Sequence, residues 1–125
     1  MRYQSYGNER ILCARTCDSC KKNIVARFHK DVPFPVYCNS CWHSDAWDAL
    51  EHGRDYDFSK NFFEQLVAIR NKTPALALNV INMENADYCN QCAWSKNVYL
   101  SVSVINAEDV AYSYRIDESR NIFNG

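Results

Sequence analysis

The last fifty residues alternate apolar and polar positions in short runs, and the runs recur. "VYLSVSVI" (98–105) and "VAYSYRI" (110–116) each read as a period-two strand. Val98, Leu100, Val102 and Val104 fall on one face, matched by Val110, Tyr112, Tyr114 and Ile116. Asn85, Asn97, Asp109 and Asn121 recur every 12 residues; Ala86, Val98, Val110 and Ile122 do so one place further on, and Tyr88, Leu100 and Tyr112 two places after those. Three units, 83–94, 95–106 and 107–118, precede a partial fourth, "SRNIFNG". Each carries a polar turn with Asn or Asp, residues that tolerate left-handed backbone. A fixed short period predicts a β-solenoid whose coils stack on one another, with an antiparallel meander as the alternative. Twelve residues make a narrow coil, and Tyr112 or Tyr114 pointing inward would crowd it. The final edge, with no capping element in "NIFNG", is expected to pair with another copy or another chain.

Helical spacing occupies the middle. "GRDYDFSKNFFEQLVAIRNKTPALAL" (53–78) reads as a linker and a helix, with Ser59 as N-cap and Glu64, Gln65, Leu66, Val67 and Ile69 continuing through Arg70. Phe58 is placed to staple onto Phe62 or Phe63, and Pro74 bounds the helix. The cluster Tyr56, Phe58, Phe62 and Phe63 reads as core in preference to a ligand platform. Upstream, "WHSDAWDALEHG" (42–53) sets Trp42, Ala46, Ala49 and Leu50 at helical spacing, with Gly53 as a stop. "NIVARFHK" (23–30) and "PFPVY" (33–37) read as two strands broken at "DVP", hence a hairpin.

Composition narrows the class. A chain of 125 residues accommodates one domain or two small ones. No apolar run approaches the roughly 18 residues a membrane span needs, so no membrane partner is expected. The N-terminal "MRYQSYGNERILCARTC" lacks a signal peptide's apolar core. Seven cysteines suit a disulfide framework badly, and four fall in two clean C-x-x-C pairs; a reducing compartment and a cytoplasmic location follow. The net charge of −1 divides as +4 over residues 1–42, −2 over 43–75 and −3 over 76–125. Only the first third has an electrostatic case for a polyanion, through Arg15, Lys21, Lys22, Arg27 and Lys30.

The strongest chemical signal is "CDSC", seventeen intervening residues, then "YCNSC". Cys17, Cys20, Cys38 and Cys41 have the spacing of a four-cysteine structural zinc site, in which each C-x-x-C turn presents two sulfurs to one tetrahedral ion. Knuckle, hairpin, then a helix carrying the last ligands is the treble-clef arrangement; a flat zinc ribbon is the alternative. Such a closed site has no open coordination position for catalysis and contributes to folding instead. Four thiolates on one divalent ion would also add about −2 to the basic head by formal charge. Cys13 reads as a buried small residue in preference to a fifth ligand. His29 on the expected hairpin, and His43 near Asp45 in an expected first helical turn, admit a metal-dependent nuclease as a minor alternative; surface histidines are the plainer reading. Sliding by 12 places Cys89 over Ser101 and Ser113 and Cys92 over Val104 and Ile116. In an alternating strand the two cysteines would face apart, which favours repeat positions over a second metal half-site or a redox pair.

"VYCNSCWHSDAWDALEHGRDYDFSKNFFEQL" followed by "SKNVYLSV" resembles a family of uncharacterised proteins frequent in candidate-phyla bacteria and metagenomes. The resemblance covers roughly residues 13–125 and is most specific from Tyr37 to Leu66. It implies a zinc-ribbon or treble-clef head, a "GRDYDFS…FFEQ" connector and a tail of Asn-Cys-Tyr-Leu-type repeats. Val98 stands where that family often has Cys, and this chain stops at Gly125 where the family usually continues with more Cys-rich repeats. The resemblance implies no activity.

The expected architecture is α+β: a zinc-binding head at 1–55, a linker and helix at 56–74, and a β-repeat segment at 75–125. The expected function is a non-catalytic zinc-stabilised binding module contacting nucleic acid or a protein partner, its head aromatics Phe28, Phe34, Tyr37 and Trp42 available to stack on bases. A structural protein that assembles through the repeat edge, including with its own copies, is the alternative.

Overall fold

The computed structural model describes residues 11–125; the first ten residues of the expected head, with Arg2, Glu9 and Arg10, lie outside the described residues. The fold is α+β, a small cysteine-rich head leading into a parallel β-solenoid. No described helix is long and apolar enough to cross a membrane.

In the head, β1 (Cys13–Thr16) pairs antiparallel with β2 (Asn23–Ala26), from Cys13 opposite Ala26 to Thr16 opposite Asn23. The hairpin therefore encloses the first C-x-x-C and does not lie between the two pairs as the sequence suggested. The second expected hairpin strand shrinks to β3 (Val36–Tyr37), which pairs in parallel with β4 (Ala75–Leu76). Short apolar runs leave their partners unspecified, and a chain-distant partner wins here because Ala26, Val36 and Ala77 bury one another. Phe28, Phe34, Ile24, Val32 and Ala75 close around them.

The expected helix over 42–52 is two pieces. Helix α1 (Asn39–Trp42) runs one turn, and a 3-10 turn covers Ala49–His52. Between them, Ser44 Oγ donates to Cys41 O and accepts from Ala46 N, local bonds that compete with helix propagation. Asp48 then caps the 3-10 turn by accepting from Leu50 N at 2.8 Å. His43 thus sits at the end of α1, not in a first turn.

Helix α2 (Phe62–Arg70) holds as expected through Arg70, but its cap is Asn61, whose Oδ1 accepts from Phe63 N at 2.8 Å. Ser59 instead bonds Asp57 through both its amide and its hydroxyl. Gln65 is buried, holding the preceding turn through Asp57 N, Asp57 O and Lys60 O. That register turns the aromatic cluster outward: Tyr56, Phe58, Phe62 and Phe63 are exposed and pack on one another, so they are not core.

The tail forms two parallel sheets. One stacks β6 (Glu84–Asp87), β8 (Lys96–Tyr99), β10 (Glu108–Ala111) and β12 (Arg120–Phe123); the other stacks β5 (Val80–Ile81), β7 (Cys92–Ala93), β9 (Val102–Ile105) and β11 (Tyr114–Asp117). Each pairing advances 12 residues, as in Glu84 to Lys96 and Lys96 to Glu108, so one coil equals one repeat and the solenoid replaces the meander. The expected period of two inside each repeat is wrong, however. Every third residue from Asn82 to Asn124 has positive φ, between 45° and 59°. Two extended residues and one left-handed residue form each step, so the inward positions also recur in threes.

Along the coils these inward columns are Ala86, Val98, Val110 and Ile122, then Cys89, Ser101, Ser113 and Gly125, then Val80, Cys92, Val104 and Ile116, then Met83, Ser95, Ala107 and Ser119. Leu100 and Tyr112 occupy left-handed positions and are exposed, which removes the crowding a 12-residue coil seemed to face. Serine columns satisfy the turning backbone. Ser101 Oγ donates to Tyr99 O at 2.9 Å and accepts from Ser113 N at 3.2 Å, and Ser113 repeats the pattern with Ala111 O and Gly125 N. Outside, an amide ladder runs from Asn85 through Asn97 to Asp109 at 2.8 and 2.7 Å. Beside it, Lys96 pairs with Glu84 and Arg120 with Glu108.

The head covers the first coil. Arg27 N donates to Ala77 O, Ala77 N to Tyr37 O, and Asn39 Nδ2 to Val80 O. Two substitutions test this geometry in denaturant melts. Val104→Ala, in a fully buried column, lowers stability by about 2 kcal/mol. Leu100→Asn relieves left-handed strain and raises stability by about 0.5–1 kcal/mol, whereas Leu100→Val lowers it. Equal effects of the two Leu100 changes would contradict the three-residue step.

Candidate functional site

Two knuckles meet at the top of the head. In the first, Lys21 N donates to Cys17 O at 3.0 Å, and Lys21 takes a left-handed φ of 61° that closes the turn on Cys20. Cys38, in extended backbone, caps α1, whose first turn carries Cys41. Asp18 holds the knuckles together. Its amide donates to Val36 O, and its Oδ2 accepts from Val36 N at 2.6 Å and from the Arg15 guanidinium at 2.8 Å. The carboxylate thereby fixes β3, and with it Cys38, against the first turn.

The four sulfurs of Cys17, Cys20, Cys38 and Cys41 lie within 4.8 Å of one another. Cys20 Sγ and Cys38 Sγ are 3.8 Å apart, matching the edge of about 3.8 Å that a tetrahedron with metal–sulfur bonds of about 2.3 Å requires. Cys17 is fully buried and Cys20 exposed, so the centre sits at the surface with one side sealed. At Cys17, burial alone would raise the thiol, but amides of Cys38, Cys20 and Ser19 outweigh it and bring the pKa down to about 6. At Cys41 the Ser19 hydroxyl lowers the pKa, yet Cys38 and Cys20 together with burial push it up to about 11. Four thiolates this close repel one another, and a divalent cation removes the conflict by taking all four as ligands. The residues fit a metal ion, and among the described residues this is the one group of three or more candidate ligands within reach of each other.

The remaining candidates separate. Cys13 is half-buried on β1 and outside the cluster. Cys89 and Cys92 do not face apart: the three-residue step points both inward, 3% and 1% exposed. Cys89 Sγ donates to Asp87 O and Cys92 Sγ to Asn90 O, two residues back in each case, as the column serines do. The neighbouring Cys92 side chain and burial push the Cys89 thiol well above the usual range. Both fall in the inward columns of the repeat, and neither belongs to a group of three or more candidate ligands among the described residues. His29 is exposed and paired with Asp31, and His43 Nδ1 lies 2.9 Å from Asn39 O; neither belongs to the four-cysteine group.

The five basic side chains also divide. Arg15 serves the knuckle, bonding Asp18 and His29 O, and Lys21 Nζ bonds Asp18 O. Lys22 and Lys30 are exposed without partners among the described residues, and Arg27 stacks on Phe28 at 4.8 Å. Two contributors were not anticipated: Asp18, signalled only by its three-residue spacing from Arg15, and Arg70, which α2 brings over Phe34 at 3.5 Å. Fold and site together define a four-cysteine head on a parallel β-solenoid. Comparison with family models, curated proteins and solved structures finds no match to this chain.

If the four cysteines hold a metal, chelation loosens the head first. Trp47 Nε1 donates to Trp42 O directly after Cys41, and both indoles pack at 4.7 Å. Chelator is expected to red-shift tryptophan emission while the far-ultraviolet β signal of the solenoid persists. Emission unchanged by chelator in a metal-loaded sample would contradict a folding role for the centre.

Proposed function

We propose that the protein is a non-catalytic binding module, stabilised by one zinc ion, that contacts nucleic acid through its head. Zinc is the ion that four thiolates at tetrahedral spacing suit best, and a closed sulfur shell leaves no position for substrate. The observation that carries the reading is the set of cations with no acidic partner. Lys22, Lys30 and Arg27 lack an ion pair among the described residues, on a head whose sequence segment is the one basic third of the chain. Metal ligation and the Asp18 bonds give those cations a rigid frame, which lowers the entropy lost on docking a polyanion. A reducing, cytoplasmic setting accords with free thiols.

A second reading, assembly through the solenoid, has its own observation. Tyr88, Tyr99, Tyr112 and Phe123 form an exposed edge-to-face ladder with centroids 5.2–5.8 Å apart. Light scattering that finds only monomer, with no partner captured, would count against it.

Two measurements test the first reading. Elemental mass spectrometry is expected to find one zinc per chain; two would return Cys89 and Cys92 to metal binding. Anisotropy with short single-stranded RNA is expected to show affinity that falls with salt, and K22Q/K30Q to reduce the log–log salt slope by roughly 1.4. Absence of binding at low salt would end the nucleic-acid reading.

A further inference from the structure

Phe28 and Phe34 meet edge to face, with centroids 5.1 Å apart at 89°. Two guanidiniums from distant parts of the chain cover this pair. Arg27, just after β2, places Cζ 4.8 Å from the Phe28 centroid; Arg70, the last residue of α2, lies 3.5 Å from Phe34 and 5.9 Å from Phe28. Neither has a carboxylate partner among the described residues. Arg27 Nε is buried with no hydrogen-bond acceptor, an orphaned donor of the kind that an absent water or ion usually explains. Burial, and then the charge of Arg27, holds the Arg70 guanidinium below its ordinary range, so the two cations oppose each other across the rings.

Stacking explains part of this arrangement. Arg70 also gains from the carbonyl end of α2. Arg27 is not at a helix end, and a ring face supplies only a weak acceptor for its Nε. An oxyanion supplies the countercharge that both guanidiniums lack among the described residues, and guanidinium forks match phosphate oxygens bidentately.

We propose that Arg27 and Arg70, mounted on Phe28 and Phe34, form a clamp for a phosphate group, occupied by a backbone phosphate of the polynucleotide. The clamp rests on the nucleic-acid reading and gives it a location. It also revises how bases would be held: the ring face of Phe34 is taken by Arg70, so a base stacks on the guanidinium plane and not on that ring.

The test is arginine Nε–Hε nuclear magnetic resonance on the full chain, titrated in separate arms with inorganic phosphate and with short single-stranded RNA. The Arg27 and Arg70 signals are expected to shift and saturate in both arms, and Arg70→Gln to abolish the Arg27 shift. R27Q/R70Q is expected to lower the RNA salt slope by roughly 1.4, and R27K/R70K, which keeps both charges, to restore the slope. RNA binding with both Nε signals unmoved overturns the clamp and leaves the proposed function standing. Shifts with phosphate alone, and no RNA binding, overturn the polynucleotide source and the proposed function together. No shift in either arm overturns the clamp outright, independently of whether any variant folds.

Discussion

The left-handed residue at every third position is the constraint on which the solenoid depends. An L-residue in that conformation costs about 1–2 kcal/mol unless it is Gly, Asn or Asp. Asn82, Asn85, Asn97, Asn106, Asp109, Asn121 and Asn124 meet the demand at little cost; Tyr88, Trp94, Leu100, Tyr112 and others do not. The offset comes from repetition. Each turn brings a carbonyl and an amide into line with the coil 12 residues away, and each inward position stacks on the inward position of the next coil. Strain distributed along the chain is thereby balanced by ladders that exist only when every coil adopts the same turn. Stability of this kind is cooperative between neighbours.

The head answers a different problem with the same economy of contacts. Its apolar core is small, built on Ala26, Val36 and Ala77, and Ala77 comes from the far side of α2. Polar groups set its geometry: Asp18 ties Arg15, Val36 and the first knuckle, and four sulfurs converge beside it. Because β4 and Ala77 complete the head while Val80 begins the solenoid columns, ordering the cysteine centre also orders the first coil. Asn39, between Cys38 and Cys41, bonds Val80 O and makes that link direct.

The legible features were those with a strict spacing. Cys17, Cys20, Cys38 and Cys41 were readable because two C-x-x-C turns have few other uses, and the 12-residue coil because Asn85, Asn97 and Asp109 recur without a slip. Periodicity misled inside the repeat: Val98, Leu100, Val102 and Val104 alternate perfectly in sequence, yet Leu100 points out, since an apolar side chain at a left-handed site satisfies either period on paper. Strand partners in the head were illegible for another reason. Runs of two to four residues carry too little pattern to choose between β1 and β3. Gln65 was equally hidden, because its burial depends on three backbone bonds to a turn that no local pattern announces.

The three-residue step also decides which side chains can be outside. Four inward positions per coil, held to Ala, Ser, Cys, Val, Ile, Met or Gly, leave no interior volume for rings. Every aromatic in the tail must therefore lie on the surface, and the ladder of Tyr88, Tyr99, Tyr112 and Phe123 follows from sterics before any partner is invoked. Exposure in the head has no such cause. There Phe28 and Phe34 are drawn in, and it is the guanidiniums of Arg27 and Arg70 that lie over the pair. An exposed ring on the solenoid is thus weak grounds for binding, while two guanidiniums without an acidic partner among the described residues are better grounds, because the coil geometry requires the first and ring stacking accounts for only part of the second.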